Sequence, residues 1–285
     1  MTTPKTATAA SPTTATASTI TFRAAAEPAR PSMVRDTVLL FRRALRLSLR
    51  NPVWTVMGLA QPLLYLFFFG PLLTKLTNVP GFPPGNPWQI FVPAIMVMLG
   101  LFGAAFVGFG LVSEWRDGVI DRMRVTPMSR FALLAGRVLR DVVVLTSQAV
   151  LLVLAGLAMG LRAPVGGIVV GIALVAVMGA TMSATSYAVA LILKSEDALA
   201  PLLNGVLLPV MLLSGIMLPI SRGFAPDWLY DVSRINPMSY VVEGARAAFL
   251  SNFDGHQFWV GLGVAAALAA LGVGWATRTF TRQSS

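Results

Sequence analysis

The residues best suited to bind a partner lie in 113–137, where acids and arginines alternate around a tryptophan. Its charged and aromatic members include Glu114, Trp115, Arg116, Asp117, Asp121, Arg122 and Arg124. A short helix over 114–124, ended by Thr126-Pro127, would carry both charge signs and an apolar edge. Such a helix suits docking to a protein partner, because charge pairs across an interface fix its register. A plain solvated connection is the alternative interpretation.

The residue types that enzymes use are otherwise scarce in this chain. It has no cysteine and a single histidine, His256, which cannot build a metal centre alone. No Gly-x-x-x-x-Gly-Lys-Ser/Thr loop and no His-Glu-x-x-His motif occurs. Ser183 and Ser186 lie in an apolar stretch without a histidine to activate them. We therefore expect no catalytic, cofactor or metal site in this chain.

The composition indicates a membrane protein. Of 285 residues, 55% are hydrophobic and 12% are charged, and the mean hydropathy is +0.72, whereas soluble domains carry roughly 25% charged residues. This apolar surplus makes a soluble enzyme a poor interpretation. The net charge of +10 would suggest nucleic acid on a soluble protein, but here it suggests loops facing anionic lipid. We expect membrane lipid and no nucleic acid as a partner.

Six apolar stretches are long enough to cross a hydrocarbon core of about 30 Å as helices. They are approximately 52–73, 90–112, 142–161, 165–193, 198–219 and 258–277, and none contains an acid, lysine, arginine or histidine. The sequence thus predicts an all-α, polytopic fold with six transmembrane helices. Ionisable groups inside a membrane usually mark ion or proton pathways. Their absence from these stretches argues against an ion-coupled transporter, so any transport would draw its energy from elsewhere.

The segments before and after this domain differ from it. Residues 1–32 are rich in Thr, Ala, Ser and Pro and are predicted to be a disordered tail. Residues 33–51 form an amphipathic helix with a basic face made by Arg35, Arg42, Arg43, Arg46 and Arg50. A basic face opposite a wide apolar face is typical of a helix in the lipid interface. A solvated helix leading into the first span is the alternative. Residues 278–285 are predicted to be a second tail.

The distribution of lysine and arginine predicts the orientation. The first 50 residues, the second and fourth connections between spans, and the C-terminus together carry 17 of these residues, against five on the other side. Cytoplasmic segments hold the excess of positive charge, so both termini are predicted to be cytoplasmic. An even number of spans also requires the termini to share a side.

Three motifs in order on this six-span frame carry a family resemblance. They are Glu114-Trp-Arg-Asp-Gly118 with Arg124-Val-Thr-Pro-Met-Ser-Arg130, then Leu213-Ser-Gly-Ile-Met-Leu-Pro219, and finally Ile235-Asn-Pro-Met-Ser-Tyr-Val-Val-Glu-Gly-Ala-Arg246. Together they resemble the permease subunits of type-2 ABC exporters, most of all the daunorubicin-resistance permeases of actinobacteria. The resemblance covers roughly 33–280.

The resemblance implies a six-span transmembrane domain over 52–277 in the plasma membrane, paired with itself as a homodimer. Two copies of a separate ATPase subunit would bind on the cytoplasmic side, so that ATP and Mg belong to that partner. Residues 113–137 would be the coupling loop that the ATPase contacts. The expected coupling residues are Glu114, Trp115, Arg116, Asp117, Gly118, Asp121, Arg122, Arg124 and Pro127.

The resemblance also implies an outer re-entrant segment over 221–257. Pro226-Asp227 would start one short helix, Asn236-Pro237 would break it, and a second helix would run from Ser239 to Leu250. The expected outer gate consists of Asn236, Pro237, Tyr240, Glu243 and Arg246. Glu243 and Arg246 are three apart on a helix and can pair. This pair is either a latch at the outer mouth or a surface salt bridge of little energetic worth.

The substrate path is the least specified part of the hypothesis. The expected function is ATP-driven export of an amphipathic, drug-like compound, and the candidate contacts are Tyr65, Phe68, Phe102, Phe106, Thr185 and Asn204. Small and hydroxyl residues also pack helices together in lipid, which is the alternative role for this set. Export of a lipid or polysaccharide, an intramembrane enzyme and a non-transporting membrane anchor remain as alternative functions.

Overall fold

We describe a computed structural model of the chain over residues 33–50, 53–76, 85–117, 130–222 and 225–282. These residues form ten helices: α1 Met33–Arg50, α2 Val53–Leu76, α3 Pro87–Ala105, α4 Gly108–Arg116, α5 Arg130–Ala158, α6 Val165–Leu193, α7 Glu196–Leu213, α8 Asp227–Ile235, α9 Pro237–Phe249 and α10 His256–Arg282. Six of the segments are long and apolar enough to cross a membrane, with α3 and α4 making one crossing between them. The predicted all-α, six-span fold is confirmed. The predicted tail 1–32 lies outside the described residues.

Helix α6 is the centre of the bundle, packed against α3, α5, α9 and α10. Its neighbour α3 is the most buried span, with Phe91, Ile95 and Leu99 almost inaccessible to solvent. Helices α2 and α7 lie at the periphery and expose many apolar side chains, as expected where helices face lipid.

The bundle has two distinct ends. We call the end where α4 stops and α5 starts the loop end, because the described parts of the predicted coupling loop, 113–117 and 130–137, lie there. We call the opposite end, which carries α8 and α9, the short-helix end. Helix α1 packs on the start of α5, and Phe280 near the end of α10 packs on the cluster containing Leu111 and Leu199. Both elements therefore lie at the loop end. That this end faces the cytoplasm stays a prediction.

The second span is broken at Phe106–Val107, within the predicted stretch 90–112. The Ser186 hydroxyl, on α6, donates to the Ala105 carbonyl and accepts from the Gly108 N–H at 2.9 Å. A side chain inserted into the helical hydrogen-bond ladder accounts for such a break. A Cβ atom on Gly108 would come within 2.7 Å of the Ser186 carbonyl, so glycine permits this approach.

The start of α3 holds the turn between α5 and α6. Asn86 and Gln89 form a capping box that satisfies the first N–H groups of α3. Their amides also donate to the carbonyls of Gly160 and Arg162 in that turn. Gly160 has a φ of 106°, a conformation that favours glycine. The hairpin formed by α5 and α6 is thus fixed at the short-helix end.

Three helices differ in extent from the apolar stretches that predict them. Helix α5 begins at Arg130 rather than near 142, so that its first turns carry arginines and an acid. Helix α7 ends at Leu213 rather than near 219, because Gly215 takes a φ of 71° and turns the chain. Helix α10 continues to Arg282, through most of the predicted tail 278–285.

Helix α1 matches the predicted amphipathic helix in extent and pattern. Its five arginines are exposed, and Leu40 packs against Gly136 of α5. Val34, Leu39, Leu47 and other apolar side chains remain exposed. Part of the apolar face is therefore used for packing on α5, and the rest is available for lipid.

Candidate functional site

Three charge contacts join the helices at the loop end; we call the residues that make them the loop-end cluster. Arg137 on α5 forms an ion pair with Glu114 at the end of α4. Arg116 lies 3.8 Å from the carboxylate of Glu196 at the start of α7. The Lys194 ammonium lies 4.5 Å from the centroid of the Trp115 ring. The cluster therefore connects the end of the second span to the third span and to the connection between the fourth and fifth.

The structure thus gives a position to the first part of the predicted coupling set. Glu114, Trp115 and Arg116 form the last turn of α4, and Asp117 follows it as an exposed residue. They extend the second span instead of starting a separate helix. The other members, Gly118, Asp121, Arg122, Arg124 and Pro127, lie outside the described residues.

A buried acid, Asp141, lies further along α5 than the loop-end cluster. Its carboxylate accepts a hydrogen bond of 2.7 Å from the Tyr187 hydroxyl and lies 3.1 Å from the Arg140 guanidinium. Asp141 and Tyr187 are both almost fully buried. The expectation that the spans contain no acid is therefore wrong for the third span. The third span begins at Ala132, ten residues before the predicted start at 142, so Asp141 lies inside it.

At the short-helix end, α8 begins at Asp227 as expected, and the chain breaks at Asn236 as expected. Helix α9 begins at Pro237 and ends at Phe249, instead of running from Ser239 to Leu250. The Asn236 side chain caps α9 by accepting from the Met238 N–H at 3.0 Å, and its amide donates to the Val210 carbonyl of α7. The Ser239 hydroxyl lies 2.9 Å from the Leu213 carbonyl. These contacts fix the α8–α9 corner on the end of the fifth span.

The predicted pairing of Glu243 with Arg246 is wrong. Glu243 binds Arg234 of α8 in a two-pronged ion pair, with N–O distances of 2.5 and 2.9 Å. The Arg234 guanidinium also lies 4.7 Å from the Tyr230 ring centroid and 5.4 Å from that of Tyr240. The spacing along α9 would also allow Glu243 to pair with Arg246. Instead, the planar guanidinium of Arg234 reaches across the α8–α9 corner and binds both carboxylate oxygens of Glu243.

Arg246 makes different contacts, to backbone carbonyls. Its Nε donates to the Ile90 carbonyl of α3 at 3.0 Å, and its Nη2 donates to the Gly215 carbonyl at 2.7 Å. Burial lowers the pKa of Arg246 to about 10, although the negative charge of Glu243 works in the opposite direction. The side chain therefore joins α9 to the start of the second span and to the turn after the fifth while carrying its charge.

The structure does not bring the candidate substrate contacts together. Tyr65, Phe102 and Phe106 pack on the main apolar core, whereas Phe68 is 66% exposed on α2. The Thr185 hydroxyl and the Asn204 amide each donate to a carbonyl one turn earlier in their own helices. Their role in a substrate path stays a prediction.

Comparison with known proteins identifies the kind of membrane protein. A sequence profile described as "ABC-2 type transporter" matches residues 35–250, which is most of the chain. The chain belongs to the ABC-2 type transporter family. It is similar to the daunorubicin resistance ABC transporter permease DrrB1 of Streptomyces coeruleorubidus, with 26% identity over 77% of this chain and 76% of that protein.

Two algal relatives of this ABC-2 chain share the same region. The transport permease ycf38 of Cyanophora paradoxa is 25% identical over 80% of this chain and 77% of its own length. The ycf38 protein of Porphyra purpurea is 28% identical over 78% and 76%, respectively. The suspected family is therefore confirmed, and members of it are transport permease subunits that are not themselves catalytic. Such a subunit implies an ABC ATPase as a partner.

Sequence reasoning missed several residues that this ABC-2 structure brings together. Lys194 contacts the Trp115 ring and Glu196 lies near Arg116, although neither Lys194 nor Glu196 belongs to the predicted coupling set. Arg234 was counted only for orientation. Helical spacing of apolar residues after Pro127, including Leu134 and Val138, could have indicated the early start of α5 and so the position of Asp141.

Proposed function

We propose that the chain is the membrane-spanning subunit of an ATP-driven exporter, and that the loop end is where the ATPase binds and drives it. The observation that carries this proposal is the loop-end cluster. Through Glu114, Trp115 and Arg116 it links the predicted coupling loop to three different parts of the bundle. A displacement of the coupling loop by the ATPase would therefore reach several spans at once.

The mechanism follows from where the energy enters. Closure of two ATP-bound partner subunits pushes on the coupling loop and shifts a pair of permease chains between inward-open and outward-open states. Nucleotide binding supplies the difference in free energy between these states. ATP and Mg are held by the partner. The positive charges of the loop end favour its placement in the cytoplasm of a cell whose plasma membrane holds the complex.

We infer that the exported compound is amphipathic and drug-like. The name of the relative DrrB1 refers to resistance to daunorubicin. Apolar and aromatic side chains exposed on α2, including Phe67 and Phe68, and on α7, including Leu208 and Leu212, would suit both an apolar path and contact with a second copy of this chain.

The test replaces Glu114 and Arg116 together with Ala. The chain is co-purified with an ABC ATPase subunit from the same genome and the two are reconstituted in lipid vesicles, where ATP hydrolysis and uptake of daunorubicin are measured. Loss of the two charges should weaken assembly or hydrolysis about tenfold, which corresponds to about 1.4 kcal/mol. A thermal unfolding midpoint close to that of the unaltered chain shows that the fold is kept.

Asp254→Asn provides the matched control, because Asp254 is an exposed acid at the opposite end of the bundle. This variant should assemble and transport normally. If the Glu114/Arg116 variant also assembles, hydrolyses ATP and transports like the unaltered chain, the coupling role of the loop end is wrong.

A further inference from the structure

A cavity of about 510 Å³ lies at the short-helix end, between α3, α8, α9 and the turn that follows α7. Its volume is within the range of small-molecule sites in proteins, roughly 300–1,000 Å³. Apolar side chains such as Ile90 and Leu250 form part of the lining, and polar groups form much of the rest. The cavity can therefore accommodate a group that is both polar and attached to an apolar chain.

The charges that line this cavity are unbalanced. Arg222, Arg234 and Arg246 line it together with one acid, Glu243, which is bound to Arg234. Two guanidinium groups thus remain without a carboxylate among the residues that the structure describes. The exposed acids of α8, Asp227 and Asp231, are not part of the lining.

Neither of these two arginines is fully satisfied by the protein. Arg246 donates through Nε and Nη2 to two neutral carbonyls. Its Nη1 has no acceptor among the described residues and can therefore bind a ligand. The Arg222 guanidinium lies 5.0 Å from the Tyr230 ring centroid, and no acceptor for its N–H groups is found among the described residues. Arg222 is exposed, whereas Arg246 is desolvated, and a desolvated positive charge is costly unless an anion accompanies it. The cavity is therefore suited to an anionic group.

The level of the cavity along the membrane-spanning helices indicates what kind of molecule the anionic group belongs to. Ile90 lies in the first turn of the second span, and Gly215 lies just beyond the end of the fifth. The ends of membrane-spanning helices lie at the level of lipid headgroups. Guanidinium groups bind phosphate oxygens through several charge-assisted hydrogen bonds.

We propose that this cavity binds the phosphate of a membrane amphiphile, with Arg222 and Arg246 as its direct ligands and Arg234 held beside them by Glu243. The amide side chains of Asn252 and Gln257 also line the cavity and can bind polar groups next to the phosphate. The proposal concerns binding by this chain alone, so it holds or fails independently of ATP-driven export.

The test uses the purified full-length chain in an uncharged detergent, without ATPase. Dihexanoyl-phosphatidic acid, dihexanoylglycerol and inorganic phosphate are titrated separately at 0.15 M salt, and binding is measured by calorimetry. We expect saturable binding of one phosphatidic acid per chain and none of dihexanoylglycerol. Weaker binding of inorganic phosphate would fit a site that recognises a phosphate on an apolar chain.

Three variants make the test specific. Arg222→Gln should weaken phosphatidic acid binding about tenfold, as expected for one charge-assisted contact. Glu243→Gln should strengthen phosphatidic acid binding, because removal of the carboxylate frees the Arg234 guanidinium for the ligand. Arg162→Gln, which removes an exposed arginine at the same end of the bundle but outside the cavity, should leave it unchanged.

Several results would overturn the proposal. Equal binding of dihexanoylglycerol would show that only the apolar chain is recognised. Inorganic phosphate binding as tightly as phosphatidic acid would assign the site to free phosphate. Equal losses in Arg222→Gln and Arg162→Gln would mean that diffuse positive charge and not this cavity attracts the lipid. A loss in Glu243→Gln would show that freeing Arg234 does not help binding, which contradicts the place of Arg234 beside the phosphate.

Discussion

At the residue scale, Asp141 shows how a charged group is kept in an apolar bundle. Its carboxylate is buried between α5 and α6 and is bound by the Tyr187 hydroxyl, with Arg140 beside it. A buried polar group costs free energy unless its hydrogen bonds are satisfied. The tyrosine is therefore a structural partner of the acid, and it joins the third span to the fourth.

Removing the Tyr187 hydroxyl tests this partnership. Tyr187→Phe leaves Asp141 without its hydroxyl donor, which should lower the free energy of unfolding by about 1–3 kcal/mol. The measurement is the thermal unfolding midpoint in detergent. Tyr65→Phe is the control, because no partner of its hydroxyl is found in the described residues. In an Asp141→Asn background the loss caused by Tyr187→Phe should shrink; full additivity would show that the two groups are not coupled.

At the element scale, two close approaches set the positions of helices. A Cβ atom on Gly136 would lie 2.9 Å from the Leu40 Cβ and 3.1 Å from the Thr37 carbonyl oxygen, so α1 packs on α5 because position 136 has no side chain. Ser186 fixes the break between α3 and α4 in the same local manner. Both contacts lie in the half of the bundle nearest the loop end.

Gly136→Val should release α1 from α5, because the branched side chain would overlap the α1 backbone; overpacking of this kind costs about 1–3 kcal/mol. Hydrogen exchange of residues 33–50 should become faster while that of α6 stays unchanged. Gly274→Val is the control, since a Cβ atom there meets nothing within 4 Å. Unaltered exchange in α1 of the Gly136 variant would contradict this account of its packing.

Ser186→Ala should destabilise the break in the second span. The substitution leaves the Gly108 N–H and the Ala105 carbonyl without their shared partner, at a cost of about 1–3 kcal/mol. The unfolding midpoint should fall, whereas Ser147→Ala should have little effect, because the Ser147 hydroxyl bonds only within its own exposed helix turn. Equal midpoints for the two variants would argue that the hydroxyl does not maintain the break.

The same elements show what the sequence could and could not predict. Apolar stretches fixed the number of spans because a bilayer requires a minimum helix length, and Pro226 and Asn236 marked the starts of α8 and α9 through local geometry. The partners of Glu243 and Arg246 depend on how separate helices pack together, and the spacing of residues along one helix does not predict that packing. The hydrogen bond between Tyr187 and Asp141 likewise joins two spans, so the spacing along either helix does not show it.

At the scale of the whole molecule, the two ends of the bundle differ in how their charged groups are arranged. The loop end carries charge pairs between helices that are partly exposed, which individually contribute little to stability but can fix the register of a docked partner. The short-helix end carries a cavity with unbalanced arginines. This division fits a subunit that receives its energy at one face of the membrane and meets lipid or cargo at the other.

The loop end is predicted to face the cytoplasm, where an ATPase can reach it. The chain contains no cysteine, so a single introduced one is a unique label. Arg116→Cys and Asp254→Cys, one at each end, are treated in separate samples with a membrane-impermeant maleimide, in intact cells and after permeabilisation. We predict that Cys at 254 reacts in intact cells and that Cys at 116 reacts only after permeabilisation. The reverse pattern would place the loop end outside the cell and contradict the account.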